Sequence, residues 1–210
     1  MATATTAQVK LHNRQQVIEH IYRHKRTSKQ DIMRELNMSL PTITQNLRSL
    51  EEERLIRRSG FLQSTGGRKP QVYAFNNRAR LAIGVRMNSK EIIVCAVDLY
   101  GTCFKRATGR LAYAHSEAYY HRVAQFINQF IDSLHVEHQT ILGVAFSLQG
   151  IVSSDGSTIT FGKILGNTGL SINMFASRID YPCIFIHDSD ASAMAELRLT
   201  PNITDALCLY

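Results

Sequence analysis

The 210 residues hold no apolar run near the ~18 that a membrane-spanning helix requires, so a membrane partner is not expected. The opening MATATTAQVK has neither a basic n-region nor a continuous apolar stretch, which excludes a secretory signal at that point. The four cysteines, Cys95, Cys103, Cys183 and Cys208, are isolated. Without CxxC spacing or a short, cysteine-dense chain they read as reduced thiols, and the expected compartment is the cytoplasm. Acid is scarce in the first 80 residues, which carry a net charge of +9, while residues 81–210 carry −2. A basic front segment beside a nearly neutral remainder points to a nucleic-acid partner for the front. With 44% hydrophobic and 20% charged residues, the chain has the composition of a folded protein.

The basic segment is organised around SKQDIMRELNMSLPTITQNLRSLEEERLI, residues 28–56. Ser28 can cap a first helix, with Asp31 three residues on as in a capping box, and Ile32, Met33 and Leu36 give helical apolar spacing. Asn37 and Met38 form a turn. Ser39 caps a second helix, Pro41 is tolerated in its first turn, and Ile43, Leu47 and Leu50 fall on one face. The opposite face is expected to show Thr42, Thr44, Gln45, Asn46 and Arg48, short or planar hydrogen-bonding groups of the kind that read base edges in the major groove. No carboxylate occurs from Ser39 to Ser49, where it would repel phosphate; Glu51, Glu52 and Glu53 are held back to the far end. Any three-helix core also has a polar outer face, and the charge pattern is what favours the DNA-binding reading over that plainer one.

Residues 1–12 read as a flexible N-terminus and Asn13 to His24 as a preceding helix with Val17, Ile18, Ile21 and Tyr22 inward. His20 and His24 have the i, i+4 spacing of a metal pair. No third ligand is evident near them in the sequence, so they read as solvated surface histidines and no metal is expected. Lys29, with Arg23, Lys25 and Arg26, is placed to touch phosphates. Leu55–Arg58 and Gln71–Phe75 read as a β-hairpin whose tip holds GGRKP, so that Arg68 can enter a narrow minor groove with Lys69 as a second cation toward DNA, although a solvated linker is the alternative. These elements make residues 13–75 a winged helix-turn-helix domain, followed by a linker at 76–80.

From Leu81 the pattern becomes α/β. Two or three strands with turns at Asn88-Ser89 and Tyr100-Gly101 precede an amphipathic helix over Tyr119–Leu134. ILGVAFSLQGIV reads as a buried strand with a glycine turn, Leu170–Ile179 as a second helix, and PCIFIHDSDASAMAE as a strand running straight into a helix. DALCLY begins another strand at the chain end, as expected of part of a longer domain. Asp188 lies at the C-terminal end of a buried strand, where α/β folds bind ligands. It is equally suited to cap the helix that follows.

Three stretches together resemble the ROK family of bacterial repressors and sugar kinases: the winged helix with STGGRKP, LGVAFSLQGIVSSDG, and IFIHDSDASAMAE. The resemblance implies an α/β, actin-like, ribonuclease-H-like ATPase fold for residues 81–210, present in part. It places Asp188 on the general base of the family's kinases, where it touches a sugar hydroxyl. His187 stands in place of the neighbouring asparagine and Gln149 in place of a usual proline, and Asn167, His187 and Asp188 are the candidate effector contacts. Family kinases carry Asp-x-Gly-Gly-Thr in their first strands to cradle ATP phosphates; Arg86, Met87, Asn88, Ser89 and Lys90 stand there instead, so no enzyme activity and no cofactor are expected. The family's zinc motif would lie beyond Tyr210. The leading expectation is a repressor binding double-stranded operator DNA, answering to a sugar or sugar-phosphate effector and working as a homodimer or higher homo-oligomer. A sugar kinase with an appended DNA-binding domain, and a DNA-binding protein whose α/β half only dimerises or binds a protein partner, are the alternatives.

Overall fold

A computed structural model describes residues 5–62 and 69–200 of the chain, which divides into two compact units, Met1–Ala79 and Arg80–Tyr210. In the first unit α1 spans Thr6–His24. It therefore begins seven residues before Asn13, inside the stretch expected to be flexible. The cause is a second capping box: the Thr5 hydroxyl accepts the Gln8 backbone N–H, and the Gln8 side chain returns a bond to the Thr5 N–H. A short strand β1, Arg26–Ser28, leads into α2, Lys29–Leu36, whose cap is the Ser28–Asp31 box. Asn37, left-handed at φ 52°, turns the chain, and the Ser39 cap opens α3, Leu40–Glu52. Strands β2, Ile56–Phe61, and β3, Gln71–Phe75, form the wing. β3 is central, antiparallel to both β1 and β2.

Val17 and Ile21 of α1, Ile32 of α2, and Ile43, Leu47 and Leu50 of α3 are all but fully buried. Burial of each is worth roughly 1.5–3 kcal/mol, which is what holds three short helices together. Residues 76–79 are no loose linker. Asn76 binds back to the first unit through its backbone N–H to Leu55 O at 2.9 Å and its amide to Arg54 O at 2.8 Å, and Ala79 N–H closes a turn on Asn76 O.

The second unit is built on a five-stranded mixed sheet. Strands β4, Leu81–Met87, β5, Ile92–Asp98, and β6, Cys103–Gly109, form an antiparallel meander. Helix α4, Glu117–Asp132, crosses over to β7, Ile141–Leu148, which runs parallel to β4. A two-stranded ribbon of β8, Ile151–Val152, and β9, Ile159–Phe161, follows. The helix expected over Leu170–Ile179 is only α5, Asn173–Ala176. Leu170 and Ile172 give their backbones to the ribbon instead, Leu170 O accepting from Ile159 N–H and Ile172 N–H donating to Ser157 O. Strand β10, Cys183–His187, adds parallel to β7 and runs into α6, Asp188–Leu199. The sheet order is β10-β7-β4-β5-β6. Alternate residues of β4, β5 and β7 are buried in one core with Val123, Ile127 and Ile131 of α4. Because β4, β7 and β10 are parallel, their C-terminal ends share one edge of the sheet.

Candidate DNA-binding face and effector groove

On α3 the side chains of Thr44, Gln45 and Arg48 are exposed, while Thr42 is half-buried with its hydroxyl 2.9 Å from that of the cap, Ser39. Lys29, at the first turn of α2, reaches Thr44 Oγ1 at 3.4 Å, so it stands on the same face. Asn46 does not. It is 8% exposed and donates to the Thr42 carbonyl at 2.9 Å, because position 46 is three residues from Ile43 and four from Leu50, on the buried stripe. It is a structural residue and not a base reader.

The acidic run at the end of α3 is fully matched: Glu51 pairs with Arg58 at 2.9 Å, Glu52 with Arg48 at 2.9 Å and Glu53 with Arg14 at 2.6 Å. A groove of about 750 Å³ lies between the helix-turn-helix and the wing, and Lys29 and Lys69 both line it. Arg58 and Gln30 line it too. Neither was singled out from sequence; strand alternation in IRRSGF was the available signal for Arg58, and nothing local marked Gln30. Arg68, with Gly66 and Gly67, lies outside the described residues.

The two histidines of α1 are not a solvated pair. His20 is 6% exposed, its Nε2 lies 3.1 Å from Thr27 Oγ1, and its ring stacks on His24 at 4.1 Å. Burial, and then the neighbouring His24, hold the His20 pKa below the ordinary histidine value. Glu35 of α2 brings the third ligand atom that the sequence around α1 lacks: Oε2 is 3.5 Å from His20 Nδ1 and 3.3 Å from His24 Nε2.

In the second unit a groove of about 340 Å³ opens at the C-terminal ends of β4, β7 and β10. Arg86 and Asn88, Ser147 and Gln149, and Asp188 with Ser192 face it. Of the candidate effector contacts only Asp188 lines it. The cap of α6 is His187, and Asp188 is the first helical residue, its Oδ1 accepting the Ser189 N–H at 3.0 Å. His187 turns its Nδ1 to the Ser189 hydroxyl at 2.5 Å. Asn167 is fully buried behind the groove, its amide donating to Gln149 O at 3.2 Å and its Oδ1 facing Gly162, where a Cβ would come within 1.7 Å. It can shape the groove only by holding Gln149. Where a phosphate cradle would need free backbone N–H groups, Asn88 Oδ1 accepts those of Lys90 and Glu91 at 2.8 and 2.9 Å.

A winged helix with exposed cationic and polar side chains, joined to an α/β unit with a polar groove at its strand ends, defines the class of two-domain winged-helix proteins. The winged helix-turn-helix DNA-binding family matches residues 11–57. The ROK family matches residues 82–210, and the chain belongs to it. The chain is 26% identical over 171 residues to the DNA-binding transcriptional dual regulator NagC of Escherichia coli (strain K12), covering 80% of this chain and 42% of that protein. It is 21% identical over 189 residues to the xylose repressor of Bacillus spizizenii (strain ATCC 23059 / NRRL B-14472 / W23), covering 90% of this chain and 49% of that one. It thus spans less than half the length of these curated relatives. The crystal structure of a ROK family transcriptional regulator, a homologue of the E. coli MLC protein, shares the fold with a TM-score of 0.60 at 18% identity, over 90% of this chain and 48% of that one.

Proposed function

We propose that the chain is the DNA-binding and sensor portion of a transcriptional repressor that answers to a sugar or sugar derivative. The observation that carries the reading is the face of α3, where Thr44, Gln45 and Arg48 stand exposed with Lys29 beside them and no carboxylate precedes Glu51 on the helix. In this reading the cations position the protein on phosphate and Gln45 and Arg48 inspect bases. Arg68, between the two wing strands in sequence, adds a minor-groove contact, and pairing of two chains sets the half-site spacing. The effector enters the groove bearing Asp188, Arg86 and Ser147, and shifts the population of DNA-competent dimers. The regulators among the relatives support this assignment.

Phosphoryl transfer is not part of the proposal. Arg86 stands where the family's kinases carry an acid, and Asn88 occupies the N–H groups that a nucleotide would need. Asp188 in this reading binds a hydroxyl and does no chemistry.

The test is fluorescence anisotropy of duplexes selected from a random pool, with a salt titration. Binding of the selected duplex at least ~10³-fold tighter than random DNA, with affinity falling steeply as salt rises, is the expected result. Equal affinity for selected and random duplexes would remove the sequence-specific reading. ATP turnover with any of a panel of hexoses would restore the kinase.

A further inference from the structure

We propose that His20, His24 and Glu35 form a binding site for a first-row divalent transition-metal ion, with Zn²⁺ as the type case, that clips α1 to α2 within the DNA-binding unit. The hydrogen bonds on the far side of each ring fix what the near side offers. His24 Nδ1 lies 2.9 Å from the His20 carbonyl oxygen, which can only accept, so Nδ1 carries the proton and Nε2 presents a lone pair. In the tautomer that donates His20 Nε2–H to Thr27 Oγ1, whose own proton can turn to Ser28 O 3.5 Å away, Nδ1 is the second lone pair. Both nitrogens lie within 3.5 Å of Glu35 Oε2, and the three ligand atoms lie within 4.8 Å of one another.

Two neutral imidazole lone pairs beside a carboxylate repel unless a proton or a metal cation sits among them. Two of the three separations suit a metal: two ligands at ordinary zinc distances on a tetrahedron stand roughly 3.3 Å apart, against 3.5 and 3.3 Å from Glu35 Oε2 to the two ring nitrogens, which themselves lie within 4.8 Å of each other. Two imidazoles and one carboxylate disfavour calcium and magnesium, which take oxygen ligands. Ring N–H groups bonded to a carbonyl and a hydroxyl are the outer support that holds metal-binding histidines in one tautomer. Half-exposed His24 and Glu35 give the ion its entry and leave a fourth position to water, while Arg34 is 3.9 Å from the other Glu35 oxygen. The site joins residues of different helices across the β1 connector.

The experiment is calorimetric titration of Zn²⁺ into the chelator-stripped full chain, repeated with Co²⁺ while recording its visible absorption. Wild type should take up one equivalent more than either His24→Gln or Glu35→Gln, and Co²⁺ should give nitrogen- and oxygen-ligated tetrahedral bands that both variants lack. Thr27→Val, which removes the support of His20 without touching a ligand, should weaken that equivalent by about 10- to 100-fold. The metal-free variants should keep the circular dichroism and melting temperature of metal-free wild type, since both altered side chains are half-exposed. Equal stoichiometry in wild type and both variants would overturn the site, and so would thiolate-type cobalt bands unchanged by the substitutions.

Discussion

Arg48 Nε lies 2.9 Å from Glu52 Oε1, one turn further along α3, and both side chains are largely exposed to solvent. A pair of this kind is worth well under ~1 kcal/mol, so it parks the guanidinium without committing it. The same arginine is the strongest candidate for reading guanine in the major groove.

Arg48→Ala is therefore expected to reduce discrimination between selected and random duplexes by the equivalent of about 1–3 kcal/mol. Glu52→Gln should leave discrimination intact and tighten binding to both, because a phosphate-repelling charge is removed. Anisotropy on the two duplexes checks both outcomes, and a Glu52→Gln variant that binds more weakly would contradict the parking role.

Asn46→Ala should behave in the opposite way. Its side chain is buried and donates to the Thr42 carbonyl, so the loss is one of stability, about 1–2 kcal/mol. Urea unfolding measures it. Base preference at saturating folded protein should not move.

The caps of α2 make stability depend on pH. The Asp31 carboxyl is held below its usual pKa of 3.8, first by the Ser28 hydroxyl, which outweighs the opposing effect of burial, and then by the Ser28 backbone N–H and Arg34. A carboxylate depressed in the folded state stabilises it above the unfolded value, and that contribution disappears as pH falls through the folded value. Ser28→Ala should cost about 1 kcal/mol near neutrality. The gap from wild type should narrow below about pH 4. Thermal melts from neutral to acid pH would show whether it does.

Gly162→Ala probes the groove from behind. A Cβ there would lie 1.7 Å from Asn167 Oδ1, so Asn167 must leave its place and release Gln149. Destabilisation of about 1–3 kcal/mol or more is expected. Weaker binding of whichever sugar raises the melting temperature of wild type should accompany it; an alanine variant with unchanged melting would show that Asn167 holds nothing.

The helix-turn-helix could be read from its chemistry, because Ser28, Asp31, Asn37 and Ser39 act on their own neighbours and their effect is local. The cap that starts α1 at Thr6 was legible by the same rule in Thr5-x-x-Gln8. The burial of Asn46 followed from its distance to Ile43 and Leu50 and was obscured by its polarity. Other features lay beyond local reading. Strand β1 is three residues long and exists because β3 offers it an edge. Glu35 reaches His20 and His24 only once α2 has packed on α1. The strand-to-helix pattern placed Asp188 at a sheet end, but the side chains that share its groove come from the ends of β4 and β7 and from α6, brought together by the sheet.

Ser28 holds two positions at once. It is the last residue of β1, opposite Val72 in β3, and it is also the cap that starts α2. A displacement of the wing ribbon is therefore transmitted through one residue to the origin of the helix ahead of the reading helix. In the proposed mode of binding, contacts made by the wing and bases met by α3 become coupled coordinates, so an operator with the right bases on the wrong local DNA shape would be penalised twice.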